Sequence, residues 1–202
     1  MKLNTFSICG RCNRTGQLGI AVSTAIPNVG NKVPKIYPII GAIASQAELD
    51  LTLSSIGFES LKKGKSANES LNIILSNANR IEYRQFGIVD NNGESAAWTG
   101  KDCDGWAGHL NEKNVSVQGN LLESEDVITN MYDTFQNTTE LDLKTRLMKS
   151  LESGEKYGGD KRDNLIKSAA LIIYSNKKYP LFDFRVNRHD FPVEELKKQI
   201  IR

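Results

Sequence analysis

Polar and apolar residues alternate with a period of two at the start of the chain, over Thr5 to Cys12 and again over Gln17 to Thr24. Successive side chains on a strand point to opposite faces, so both runs predict strands, and Asn13-Arg14-Thr15-Gly16 between them is a hairpin signal. A third strand is expected over Lys35-Ile36-Tyr37. The near-continuous apolar run from Ile39 to Ala44 predicts a fourth, covered on both faces. The period then lengthens. Leu49, Leu53, Ile56 and Leu61 fall on one helical stripe, and Leu71, Ile74, Leu75 and Ala78 form another after Ser66, a candidate N-cap.

The second half repeats this order. Tyr83 to Val89 and Glu94 to Thr99 predict a hairpin around Asp90-Asn91-Asn92-Gly93, and Val115 to Val117 a further strand that Gly119 ends. Val127, Met131 and Phe135, then Leu143, Leu147 and Leu151, predict two more helices, the second closed by Gly154. Ser168 to Ser175 and Leu181 to Val186 read as strands, and Val193 to Ile201 as a terminal helix after Pro192. Strands followed by a helix pair, twice, then strands and a helix, indicate an α+β fold rather than alternating βαβ units. Two mostly antiparallel sheets stacked face to face with helices outside would bury both the continuous and the alternating strands, which is a four-layer αββα sandwich.

A chain of 202 residues suits one domain spanning residues 1–202. The formal net charge of +2 is spread thinly, so the short lysine runs at Lys62-Lys63, Lys177-Lys178 and Lys197-Lys198 read as solvated surface and no nucleic-acid partner is expected. No stretch approaches the roughly 18 apolar residues of a membrane span, and the N-terminus lacks the apolar core of a secretory signal, so no membrane partner and a cytoplasmic location are expected. Cys9, Cys12 and Cys103 are too few for a disulfide framework. Cys9-x-x-Cys12 looks like half a zinc site, but residues three apart on a strand face opposite ways, and only Cys103 and His109 could complete it. No metal is expected.

Thr5 is the first candidate for chemistry. Its hydroxyl becomes a nucleophile with a built-in base if removal of Met1-Lys2-Leu3-Asn4 frees its own α-amine, whose reference pKa of about 7.7–8.0 lets it accept a proton near neutral pH. Otherwise Thr5 is a β-branched strand residue. The stretch from Thr99 to His109 packs Cys103, Trp106 and His109 into a glycine-rich loop that either lines a pocket or lids the core, with His109 a general base or a hydrogen-bonded structural residue. Gln118, Gly119 and Asn120 are expected at a strand-to-helix turn, where free N–H groups and the Asn120 amide could serve an oxyanion or a substrate carbonyl. Gln46 and Ala47 occupy the equivalent turn after the other buried strand, unless Ser45 simply caps a helix there. Asp160 could orient an amine and Arg162 clamp a substrate carboxylate, in a loop that reads equally as a solvated turn. No Gly-x-Ser-x-Gly elbow, Walker loop or dinucleotide fingerprint occurs, and no cofactor is expected.

Taken together, Thr5-Phe6-Ser7-Ile8, Gly19-Ile20-Ala21-Val22, Gly41 to Ala47, Gln85 to Asp90, Trp98 to Cys103, Trp106 to His109, Val117 to Leu122, Gly158 to Arg162 and Ser168 to Leu171 resemble one family. It is the Ntn-hydrolase-like family known as domain of unknown function one thousand and twenty-eight, and the likeness runs from Thr5 to about Leu196. The resemblance implies the Ntn-hydrolase αββα sandwich and amide hydrolysis through an acyl-enzyme. It also implies Thr5 as nucleophile, an oxyanion hole from the N–H groups of Gln46 and Ala47, Ser23 or Thr24 beside the amine, and Lys32 lowering the hydroxyl pKa. Family members typically begin Met-Thr, whereas here Met1-Lys2-Leu3-Asn4 stands before Thr5, and the loop from Lys161 to Lys167 is longer than the family pattern. Freeing Thr5 then needs self-cleavage at Asn4-Thr5 or another protease. The expected function is an amidohydrolase acting on a small non-peptide amide. A peptidoglycan-related amidase and a non-catalytic binder of a small metabolite are the alternatives, and a homo-oligomer is expected.

Overall fold

The computed structural model describes residues 2–160, 162 and 166–201, so Met1 of the tetrapeptide and most of the expected 161–167 loop extension lie outside the described residues. Among the described residues eleven strands pair antiparallel in two sheets. The first sheet holds β1 (Lys2–Leu3), β4 (Pro34–Tyr37), β5 (Gly41–Glu48), β6 (Arg84–Asp90) and β7 (Ser95–Thr99). One edge of β5 pairs with β6, and the other edge is shared, with β4 along Gly41 to Ala44 and β1 against Ala47 and Glu48. The second sheet runs in the order β11 (Phe182–His189), β10 (Lys167–Tyr174), β3 (Leu18–Thr24), β2 (Thr5–Arg11), β9 (Val115–Leu122), β8 (Trp106–Glu112).

Strand alternation sorts the side chains into layers. On β2, Phe6 and Ile8 join Val117, Met131, Phe135, Leu147 and Leu151 in a core beneath α3 (Asp126–Gln136), α4 (Leu143–Lys156) and α5 (Pro192–Ile201). On the first sheet, Ile43, Phe86 and Ile88 meet Leu53, Phe58 and Ile74 of α1 (Leu51–Lys62) and α2 (Ala67–Asn77). Between the sheets lie Cys9, Ile20, Val22, Ala42, Ala44, Val89 and Ala170. The result is the four-layer αββα sandwich the element order predicts. Helix starts follow their local chemistry: Asp50 and Asp142 cap α1 and α4, and Ser66 with Glu69 forms a capping box on α2. Among the described residues no helix is long and apolar enough to cross a membrane.

Four expectations are corrected. The strand expected to stop at Ala44 continues as β5 to Glu48, and Asp50 rather than Ser45 caps the helix, so Gln46 and Ala47 stand inside a strand. Likewise β9 runs through Gly119 to Leu122, which puts Gln118 and Asn120 inside a strand too. Both strands continue past their polar residues because those residues find hydrogen-bond partners in the sandwich interior, Gln46 and Asn120 on the opposite sheet and Gln118 on the neighbouring strand. Residues 106–109 belong to edge strand β8 rather than a loop, since pairing with β9 holds them extended. Gly154 lies within α4 instead of ending it. A Cβ there would meet the Met131 sulfur at 2.6 Å, so the position serves close helix packing.

Candidate functional site

Thr5 opens β2 directly opposite Thr24 of β3 and is fully buried, yet among the described residues its Oγ1 has no hydrogen-bond partner. The carbonyl just before it is well held. Asn4 O accepts from the Thr24 hydroxyl at 2.5 Å and from Arg162 Nη2 at 2.9 Å. Arg162 is itself fixed by the buried Asp160, through Nε to Oδ1 at 2.9 Å and Nη2 to Oδ2, while Asp160 also accepts from the Ala25 N–H at 2.8 Å. The Asn4 carbonyl oxygen therefore faces a guanidinium and a hydroxyl, the donors that stabilise negative charge on such an atom. Residues Lys2 and Leu3 continue as β1 along Glu48 and Ala47. Ala47 has φ 63°, a left-handed conformation that strains an L-residue by about 1–2 kcal/mol.

Beside Thr5 the space between the sheets is filled by amides. Gln46 Nε2 donates to Thr5 O at 3.1 Å and to Gln85 Oε1 at 2.8 Å, and Gln46 Oε1 accepts from the Ser7 hydroxyl at 2.7 Å. Gln118 Nε2 donates to the same Ser7 hydroxyl at 2.7 Å, and Gln118 Oε1 accepts from Ser116 at 2.7 Å. Asn120 Nδ2 reaches Gln85 Oε1 at 2.8 Å, leaving Asn120 Oδ1 buried without a partner. Gln85 Nε2 donates to Gly119 O at 2.7 Å and to Thr99 Oγ1 at 2.8 Å. Thr99 lies 2.8 Å from His109 Nδ1. Thr99 Oγ1 accepts from Gln85 and has both a proton and a second lone pair left, so it meets Nδ1 as donor or as acceptor according to the imidazole tautomer. All five of Ser7, Gln46, Gln85, Gln118 and Asn120 are completely buried.

Several residues singled out in the sequence thus converge. Thr24, Asp160 and Arg162 meet at the Asn4 carbonyl, and Gln46, Gln118 and Asn120 meet in the amide layer. His109 is exposed on β8, pairs with Gln118 across the β8–β9 ladder, and its ring meets Thr99. Ser23 pairs with Phe6, one step along from the Thr5–Thr24 pair, and Gly119 lies opposite Phe6 on the other side. Lys32 is not brought to the Thr5 hydroxyl. Its ammonium donates to Pro27 O at 2.8 Å, and Thr5 Oγ1 remains unpartnered. The cysteines do not assemble: Cys9, between the sheets, donates to Gly87 O, Cys12 lies in the core under the helices, and no metal-holding cluster occurs among the described residues. Burial pushes the thiols of Cys9 and Cys103 up to about 12 and about 11, so both are poor nucleophiles at neutral pH.

Sequence reasoning missed Ser7 and Gln85 as members of this site. The available signal is polarity at an inward position: Ser7 alternates with Phe6 and Ile8, and Gln85 with Phe86 and Ile88, on strands covered on both faces.

A family model described as "Family of unknown function (DUF1028)" matches residues 5–196. A protein of Silicibacter pomeroyi whose crystal structure carries the same family model is 27% identical and superposes with a TM-score of 0.89, over 99% of this chain and 85% of that one. Anbu (ancestral beta-subunit) from Yersinia bercovieri is 10% identical with a TM-score of 0.43, over 97% of this chain and 93% of that one. A mutant of Anbu from Hyphomicrobium sp. strain MC1 is 10% identical with a TM-score of 0.44, over 98% and 93%. No curated protein matches the chain.

Proposed function

The chain belongs to the family of unknown function DUF1028, and on that footing we propose that it is an amidohydrolase in which Thr5, its α-amine freed, attacks the carbonyl of a small non-peptide amide. The observation that carries this reading is the buried, unpartnered Thr5 hydroxyl next to a carbonyl already gripped by Arg162 and Thr24. An orphaned buried hydroxyl costs about 1–3 kcal/mol, so Thr5 Oγ1 does not serve the stability of β2.

In the uncleaved chain the Thr5 nitrogen is an amide and cannot act as a base. The same hydroxyl can free it. Attack of Oγ1 on the Asn4 carbonyl carbon closes a five-membered ring. The Asn4–Thr5 C–N bond then breaks, the nitrogen takes a proton to become the amine, and the acyl group is left as an ester on Oγ1. Water cleaves the ester and releases residues 1–4 with a new carboxylate on Asn4. Arg162 and Thr24 hold the oxygen on which negative charge develops. With the leader gone, they face the oxygen of an incoming amide, and the edge of β5 at Ala47 and Glu48 is uncovered. Turnover repeats the chemistry: Oγ1 attacks, its proton passes to the α-amine and on to the leaving nitrogen, and water hydrolyses the acyl-ester. The Gln46 side chain, bonded to Thr5 O and backed by Gln85 and Asn120, positions the nucleophile's backbone.

Intact-mass measurement of the purified protein is expected to reveal a species lacking residues 1–4, and Thr5→Ala to stay full-length, folded and inactive. Arg162→Gln is expected to slow processing by about a hundredfold or more, the usual cost of losing an oxyanion donor. A wild-type preparation that is entirely full-length and still releases amine from an amide library would sink the Thr5 mechanism. A full-length preparation that binds metabolites without turnover would instead identify a binding protein on the same fold.

A further inference from the structure

At the far end of β2 from Thr5, roughly 20 Å along the strand at about 3.3 Å per residue, three separate segments converge. The turn after β2, the turn between β8 and β9, and the α3–α4 connection with the start of α4 enclose an open cleft of about 450 Å³. Its charged lining is Arg11, Arg14, Lys113 and Arg146 against the single carboxylate of Glu140. Among the described residues none of these four cations has an ion-pair partner.

Arg146 is the decisive one, because it is only 6% exposed. Its Nη2 donates to Phe135 O at 2.8 Å and its guanidinium stacks 3.7 Å from the Phe135 ring centroid, but its Nε–H is buried with no acceptor. The Nε of Arg11 is orphaned in the same way. Arg14, which donates to the Glu140 and Leu141 carbonyls, adds a second positive charge close by. Burial lowers the Arg146 pKa, with Arg14 acting in the same direction and Cys12 and Glu140 against it. For Cys12, burial pushes the thiol up, yet hydrogen bonds from Thr15 and Arg14 and the Arg14 charge outweigh it and leave the pKa lowered. Four cations, one of them buried, are not balanced by the single Glu140 carboxylate, and a chain of net charge +2 has no general surplus to explain this cluster.

We propose that the cleft is a binding site for the phosphate group of a small molecule. Four cations against one carboxylate call for a multiply charged anion, and guanidinium forks match phosphate oxygens two at a time. The volume leaves room for an organic body beside the phosphate. The site is distinct from Thr5 and does not depend on its chemistry.

Calorimetric titration of the full chain with inorganic phosphate and with glycerol phosphate, at constant ionic strength, tests this, with acetate as the monoanionic control. Saturable binding of both phosphates and none of acetate is expected. Arg146→Gln should abolish binding, but that side chain also packs on Phe135, so the exposed Arg14→Gln and Lys113→Gln variants provide the second arm. Each should weaken phosphate binding by about tenfold, the scale of one charge-assisted contact, with an unchanged melting temperature in the absence of phosphate. No saturable phosphate binding, binding unchanged in both exposed variants, or acetate binding as tight as phosphate would each overturn the proposal.

Discussion

The space between the two sheets has an apolar half and a polar half, and they hold the sandwich together by different physics. In the apolar half, Ile20, Val22, Ala42, Ala44, Val89 and Ala170 are buried against one another, and the stabilisation scales with the area removed from water. In the polar half, Ser7, Gln46, Gln85, Gln118 and Asn120 are just as buried, and the stabilisation depends on every donor meeting an acceptor. Gly87 shows how closely the polar half is fitted: a Cβ there would meet Gln118 Oε1 at 1.9 Å. An apolar layer tolerates small mismatches in shape, whereas an amide layer is either satisfied or costly. Two of its atoms are not satisfied, Thr5 Oγ1 and Asn120 Oδ1, and the first is the proposed nucleophile.

Three substitutions test this contrast by equilibrium urea unfolding. Gln85→Leu should be the most damaging, at about 3 kcal/mol, because it strips Asn120 Nδ2 of its only acceptor among the described residues and removes one from Gln46 while burying the orphans. A loss below that of an apolar truncation would mean the amide layer contributes little. Val22→Ala, in the apolar half, is expected to cost about 2 kcal/mol through lost burial and a small cavity, with no effect on processing at Asn4-Thr5. Thr5→Val should lie at the other extreme, neutral or stabilising by up to about 1 kcal/mol, since it replaces an unpartnered hydroxyl with a methyl group. A clear destabilisation by Thr5→Val would show that the hydroxyl has a structural partner and weaken its assignment as nucleophile. Paired with the mass measurement, the variant separates a residue kept for chemistry from one kept for fold.

Much of the fold was legible because it rests on local pattern. The β2–β3 hairpin, the capping box at Ser66 and Glu69, and the stripes of α3 and α4 all stand where period and cap chemistry place them. Strand β8 was not legible: Trp106 to Glu112 is glycine-containing and half-exposed, and only pairing with β9 makes it a strand. The amides at Gln46, Gln118 and Asn120 read as turn residues for a related reason. A polar side chain inside a doubly covered strand is expected to end it unless partners exist; here Gln46 and Asn120 find them on the opposite sheet, in Ser7 and Gln85, and Gln118 finds Ser7 on the neighbouring strand.

Amino-acid order alone therefore settled most of the strand and helix sequence, apart from β1 and β8, together with the layered class and Thr5 as a candidate nucleophile, since periodicity, capping and a hydroxyl at a strand start are properties of neighbours in the chain. Only the tertiary structure brought Arg162 and Thr24 onto the Asn4 carbonyl, 158 and 20 residues away in sequence, and Arg146 into the cleft with Arg14 and Lys113. Hydrogen bonds and charge clusters act over a few ångströms of space regardless of chain separation. Which carbonyl is polarised, and which cations gather around a single carboxylate, is decided by the packing of the two sheets and the helices that cover them.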